Sequence, residues 1–222
     1  MQEYKNLVII GTSHISVQSI REVSNFIEKN KPEIIALELD KKRFFALTQE
    51  RKNDFRDVLK VGLKGYIINF IGSYIEKKLG RLVGVKPGSE MIKAIELAKK
   101  HNLAIALIDQ DIQITLKKLT KISFKEKFKI FKDIIKGMLF KKEIVKFDLT
   151  KVPDEKLIDV LIGKVKKDYP EIYSILIKER NELMAKALNK IITLNKDKKI
   201  LAIIGAGHEK EVVRIIRTLD SN

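Results

Sequence analysis

Ile200-Leu201-Ala202-Ile203-Ile204-Gly205-Ala206-Gly207-His208, near the carboxyl end, is five apolar residues, then a glycine, a short turn and a histidine. An uncharged apolar run of that length reads as a strand buried on both faces, as in a parallel sheet covered by helices. Near the amino end, Leu7-Val8-Ile9-Ile10-Gly11-Thr12-Ser13-His14 repeats the pattern of strand followed by Gly-x-x-His. With Glu33 to Leu39 and Leu103 to Asp109, the strands predicted over Asn6 to Gly11 and Lys199 to Gly205 make four. Helical spacing of apolar residues follows in Val17 to Lys29, Pro87 to His101 and Glu209 to Leu219. The alternation predicts an α/β fold, a mostly parallel central sheet flanked by helices.

From Asp111 to Lys198 strand signals are absent and long helical patterns take over, at Ser123 to Met138, Asp154 to Lys167 and Pro170 to Lys190. The expected organisation is one domain over 1–222 with a helical insertion at about 112–198. At 222 residues and 45% hydrophobic content the chain can bury a sizeable core, which excludes a disordered tail or a stapled peptide. There is no cysteine, which excludes disulfides, thiolate zinc sites and cysteine nucleophiles. The amino end carries no signal-peptide core, so a cytoplasmic setting is the expectation. Leu59 to Tyr74 is apolar but interrupted by Lys60, Lys64 and Asn69, too short to span a bilayer, and reads as a helix buried against the sheet or a partner.

In parallel α/β sheets the carboxyl ends of the strands face one crevice. If the first and last strands are neighbours, His14 and His208 project to the same side. The second strand ends in Glu38, a carboxylate inside an apolar run that needs a cation nearby, with Arg43 one helical turn on as a candidate. The third ends at Asp109-Gln110-Asp111. Two imidazoles and one or two carboxylates suit a divalent ion that keeps a position open for water. Each residue alone also has a plain structural reading, as a turn histidine or an ion pair. His101 closes a helix as a charge complement to its carboxyl end. A dinucleotide fingerprint, a P-loop and a nucleophile elbow are all missing.

Gly11-Thr12-Ser13-His14, Ala36-Leu37-Glu38-Leu39-Asp40 with Arg43, Gly84 to Met91, Leu107 to Ile112, Glu179-Arg180-Asn181 and Gly205-Ala206-Gly207-His208 together resemble, in that order, the TraB family. That family, also called TraB/PrgY, is named for pheromone-shutdown proteins and is related to the Tiki proteases. The resemblance implies a fold like that of the erythromycin esterase and ChaN-like group, and a metal-dependent hydrolase using manganese or cobalt before zinc. Carried over position by position, it implies metal ligands His14, His208 and Glu38, with Glu38, Glu90 and Arg180 as catalytic groups. It also places Arg43, Asp109, Asp111 and Glu179 around the substrate. Helical periodicity gives Glu179 a rival reading on a solvated face. Gln110 departs from the arginine usual in archaeal relatives; those relatives commonly continue into membrane segments, so the expectation is either a soluble member of the family or a chain cut before its anchor.

The chain carries 45 Lys and Arg against 29 Asp and Glu, a net +16. From Lys117 to Phe147 eleven lysines meet only Glu126, Asp133 and Glu143, half of that excess. Phe124, Phe128, Phe131, Ile135 and Met138 share one helical face there. The first expectation is a lid sealed on the core by this stripe, its lysines solvated; the other is a helix lying on an anionic membrane surface. Lysine dominance without a nucleic-acid module argues against a specific nucleic-acid partner. Exposed apolar surface at Val61 to Ile75 or along the insertion would favour a homodimer. Two functions follow: a metallohydrolase acting on a peptide or protein substrate, or a signalling module that binds and sequesters a peptide.

Overall fold

The computed structural model describes residues 1–13, 16–48, 88–139 and 154–221. His14 and the Leu59 to Tyr74 run lie outside the described residues, and so do the readings attached to them. Five strands, β1 (Gln2–Tyr4), β2 (Leu7–Thr12), β3 (Ile34–Leu37), β4 (Ala104–Leu107) and β5 (Ile200–Gly205), form one sheet in the order β1-β2-β5-β3-β4. The four predicted strands are parallel, and β1 is an additional antiparallel edge joined to β2 through Lys5 at φ 51°. β5 lies between β2 and β3, with Thr12 opposite Gly205 and Leu37 opposite Ile203. The two Gly-x-x-His turns therefore leave adjacent strands.

Side chains alternate across β5. Ile200, Ala202 and Ile204 join Met184, Leu188, Val212 and Ile216 on one face, while Leu201 and Ile203 join Val23, Ile27, Met91 and Ile95 on the other. Such two-sided burial explains the absence of polar alternation in these strands. Helices α1 (Val17–Asn30) and α3 (Ser89–Lys100) cover the second face. Helix α1 starts where Ser16 Oγ accepts from Ser19 N, and it ends at Lys31 in the left-handed region, φ 47°.

Two short helices escaped the sequence reading: α2 (Lys41–Thr48) and α4 (Ile112–Thr120). Asp40 serves both, since Oδ1 accepts from Lys42 N and Arg43 N at 2.7 and 3.0 Å, and Oδ2 from Ile112 N at 3.3 Å. Then come α5 (Phe124–Leu139), α6 (Glu155–Asp168), and a rod made of α7 (Pro170–Tyr173), a π-helical turn (Ser174–Lys178) and α8 (Glu179–Leu194). Helix α9 (Ala206–Asp220) follows β5 and covers the first face with α8.

Helix α5 departs from the first expectation. Its stripe does not seal a lid: Phe124, Phe128, Phe131 and Ile135 are 86%, 68%, 60% and 38% exposed. The cause is Glu126, which is buried because its two oxygens accept from Glu171 N and Ile172 N at the start of the rod. Among the described residues, no helix is long and apolar enough to cross a membrane.

Candidate functional site

The carboxyl ends of β3, β4 and β5 meet the start of α8, and the residue at the centre of the junction is Arg180. A guanidinium has five N–H donors, and here each finds an acceptor. Nε and Nη2 form a fork on the Asp109 carboxylate at 3.0 and 2.8 Å, and Nη2 also donates to Glu38 Oε1. Nη1 reaches the Leu176 carbonyl at 3.3 Å and His208 Nε2 at 3.4 Å. Burial works against the charge, but the Asp109 hydrogen bonds and the Glu38 charge outweigh it and hold the guanidinium above its ordinary pKa. The π turn just upstream resets the phase of the rod before Arg180 and Asn181.

Glu38 is 2% exposed. Its Oε2 accepts from Gly205 N at 2.5 Å, which puts a carboxylate against the amino end of α9, the favourable place for negative charge. Arg43 is at the rim, its Nη1 3.5 Å from both Asp109 Oδ2 and the Glu38 carbonyl. The expectation that Arg43 neutralises the Glu38 carboxylate is thus corrected: the cation on that carboxylate is Arg180, 142 residues away in sequence.

His208 is buried in the first turn of α9. Because Arg180 Nη1 donates to Nε2, the ring carries its proton on Nδ1, which donates to Asn181 Oδ1 at 2.5 Å. Glu38 Oε1 is 3.7 Å from Nε2. With Oδ1 so used, Asn181 Nδ2 is a buried donor that has no hydrogen-bond partner among the described residues.

This arrangement overturns the expected metal cofactor. Among the described residues, no group of three or more His, Asp or Glu side chains could hold an ion. The physical reason is Arg180: its guanidinium occupies the space between Glu38, Asp109 and His208, so their acceptors converge on a fixed organic cation. The manganese or cobalt expectation is withdrawn, and with it the ligand roles of Glu38 and His208.

The other predicted residues divide. Glu38, Asp109, Arg180 and His208 are brought together, with Arg43 beside them. Asp111 instead caps α4 through Gln113 N and pairs with Lys42 at 2.7 Å; Lys42 first and that N–H second hold its carboxyl below the usual range. Glu179 pairs with Lys118 at 2.5 Å, in keeping with the solvated-face reading. Glu90 is buried in the first turn of α3, on the helix that covers the second face of the sheet. His101 ends α3 with Nε2 3.2 Å from Glu28.

Beside the cluster lies a cavity of about 500 Å³, walled by β2, α1, α6, the rod and the start of α9. Asn181 and Gly207 line it, as do Gly11 and Glu209. Glu22, Glu155, Asp159, Glu209 and Glu211 face it against Lys210 and Arg214, an acidic wall in a basic protein. The Met1 α-ammonium forms an ion pair with Glu209 Oε1 at 2.9 Å. A Cβ on Gly11 would lie 2.1 Å from Glu209 Oε2, so the glycine of the first Gly-x-x-His is explained by a carboxylate that needs its space. Sequence reasoning missed Asn181 and Glu209 as site residues. Both are neighbours of residues it chose, Arg180 and His208, and that adjacency is the signal that could have found them.

Residues 2–221 match the TraB/PrgY/gumN family. The chain is 42% identical over 225 residues to an uncharacterized protein of Methanocaldococcus jannaschii, covering 97% of this chain and 54% of that protein. TraB domain-containing proteins of Mus musculus and Homo sapiens are 22% and 20% identical over 195 residues, covering 81% of this chain and 51% of theirs. The chain spans about half the length of these relatives. A match over nearly every residue, and an archaeal relative this similar over almost the whole chain, lead to one conclusion: the chain belongs to the TraB/PrgY/gumN family.

Proposed function

We propose that this chain binds peptides, taking the amino end of the peptide into the cavity beside Asn181. The observation that carries the reading is the buried Asn181 Nδ2, a donor with no acceptor among the described residues, on the lining of a cavity that also holds the Glu209 carboxylate. A buried donor left unmet costs about 1–3 kcal/mol, a cost that a ligand carbonyl removes. Glu209, which now pairs with the chain's own Met1 α-ammonium at 2.9 Å, suits a peptide ammonium that takes that place, the acidic wall repels a carboxylate, and a volume of about 500 Å³ accommodates a few residues. The chain is read as one domain whose insertion, about 112–198, supplies one wall through α6 and the rod. The saturated Arg180 cluster acts as the rigid support that fixes His208 and hence Asn181.

The test is capture of a mixture of octapeptides, free or acetylated at the amino end, read by mass spectrometry against the parent chain, Asn181→Leu and Glu209→Gln. Free peptides are expected to bind, and acetylation or either substitution to weaken binding roughly tenfold, the worth of one charge-assisted hydrogen bond. Equal capture of free and acetylated peptides would sink the proposal.

A second reading, peptide hydrolysis at the same place, is favoured by one observation: the His208 imidazole is oriented by Asn181 and sits beside Glu38 and Arg180. It also draws on the family's kinship with the Tiki proteases and the erythromycin esterase group. In that reading water displaces the Arg180 Nη1–H that Nε2 now accepts, adds to the peptide carbonyl carbon and gives its proton to that nitrogen. That proton then passes to the leaving amine as the C–N bond breaks. Products whose masses sum to the substrate plus one water, formed by the parent chain and absent in His208→Gln at equal amounts of bound peptide, would establish turnover. Intact peptides after long incubation leave binding alone.

A further inference from the structure

Helix α5 is built inside out. Taking 100° per residue, Glu126, Lys129 and Asp133 fall on one side, and Phe124, Phe128, Phe131 and Ile135 on the opposite side. The polar side is the one docked on the protein. Glu126 caps the rod, Lys129 Nζ donates to the Asp168 carbonyl at 3.0 Å, and Asp133 accepts from Tyr169 Oη at 2.7 Å. The apolar side faces out, and its three phenylalanines are each at least 60% exposed. Isolated exposed apolar residues need no explanation, but a continuous stripe of three aromatics and an isoleucine does.

The borders of the stripe select what covers it. Lys127 stands on one flank and Lys125 and Lys132 on the other, all exposed, while both acids of the helix are turned inward. The outer half of α5 is therefore aromatic in the middle and cationic along both edges. A second copy of this chain would bring the same lysines and another +16 to that face, a repulsive pairing. An anionic bilayer surface offers acyl chains to the phenylalanines and phosphates to the lysines. We infer that α5 is a membrane-surface helix that seats this domain on anionic phospholipid headgroups through Phe124, Phe128 and Phe131, with Lys125, Lys127 and Lys132 at the phosphates. The inference is independent of what the cavity binds.

The experiment is flotation of the 222-residue chain with vesicles of phosphatidylcholine alone or mixed with phosphatidylglycerol. It is repeated for Phe128→Gln/Phe131→Gln and for Lys125→Glu/Lys132→Glu, with urea unfolding of each variant and light scattering in solution. The parent chain is expected to float with the mixed vesicles only and to be released by high salt, with both variants retained roughly tenfold less at parental stability. Three outcomes overturn the inference: no flotation with either vesicle, or equal flotation with both; a dimer mass that the phenylalanine variant halves; or a loss of stability in that variant, which would mean the stripe is covered by another part of this chain.

Discussion

At the scale of single residues, Arg180 organises the junction. Glu38 and Asp109 are buried strand-end carboxylates, and a buried charge is costly unless it is paired and hydrogen-bonded. One guanidinium with all five donors engaged hydrogen-bonds both carboxylates while it fixes the histidine tautomer. Arg180→Met should therefore cost roughly 3–5 kcal/mol, the range for breaking a buried ion pair from one side. Adding Glu38→Gln and Asp109→Asn should restore part of it, because the uncompensated charges are then gone. Urea unfolding checks both; a triple variant less stable than the single one would contradict the account. Of this cluster, the strand-end acids and His208 were legible in sequence, because a charge closing an apolar run is conspicuous. Their grouping with Arg180 was legible only through the family resemblance, since no local pattern joins positions 142 apart.

At the scale of elements, a period states whether a helix has two faces but not which of them turns inward. The strands around Ile35 and Ile203 were legible because continuous apolar runs admit one reading, burial on both sides. The edge strand Gln2–Tyr4 was not, being three residues with no pattern of its own. For α5 the decision rests on its contacts with the rod, and Tyr169 provides a handle on them. The hydrogen bond to Asp133 first, then burial, push the Tyr169 phenol up to about 12 from an ordinary 10.0. A folded pKa above the unfolded one means that the folded state binds the extra proton between those values. The stabilisation is complete below pH 10 and is lost as pH rises through about 12. The stability gap between the parent chain and Tyr169→Phe should accordingly shrink over that window, measured by urea midpoints at stepped pH. A gap that is constant across it would show that Asp133 does not hold the phenol.

At the scale of the whole molecule, the charge of +16 opposes compaction while the exposed ion pairs favour it, and salt weakens both. The pairs are mostly at the surface: Lys42 with Asp111, Lys210 with Asp159 and Glu155, Arg214 with Glu211. Exposed pairs contribute about 0–1 kcal/mol each, and side-chain entropy takes much of that back. The buried Arg180 cluster is shielded from ions and so changes little with salt. Self-repulsion acts among the excess lysines over a range set by the Debye length, about 10 Å at 0.1 M salt and about 3 Å at 1 M. Repulsion should therefore lose more than the pairs do, and the urea midpoint of the chain should rise as sodium chloride is taken between those two concentrations. Urea serves here because guanidinium chloride would itself supply the salt. A midpoint that falls instead would mean that the surface pairs outweigh the repulsion, placing a larger share of the folding energy in contacts such as Lys210–Asp159 than their exposure implies.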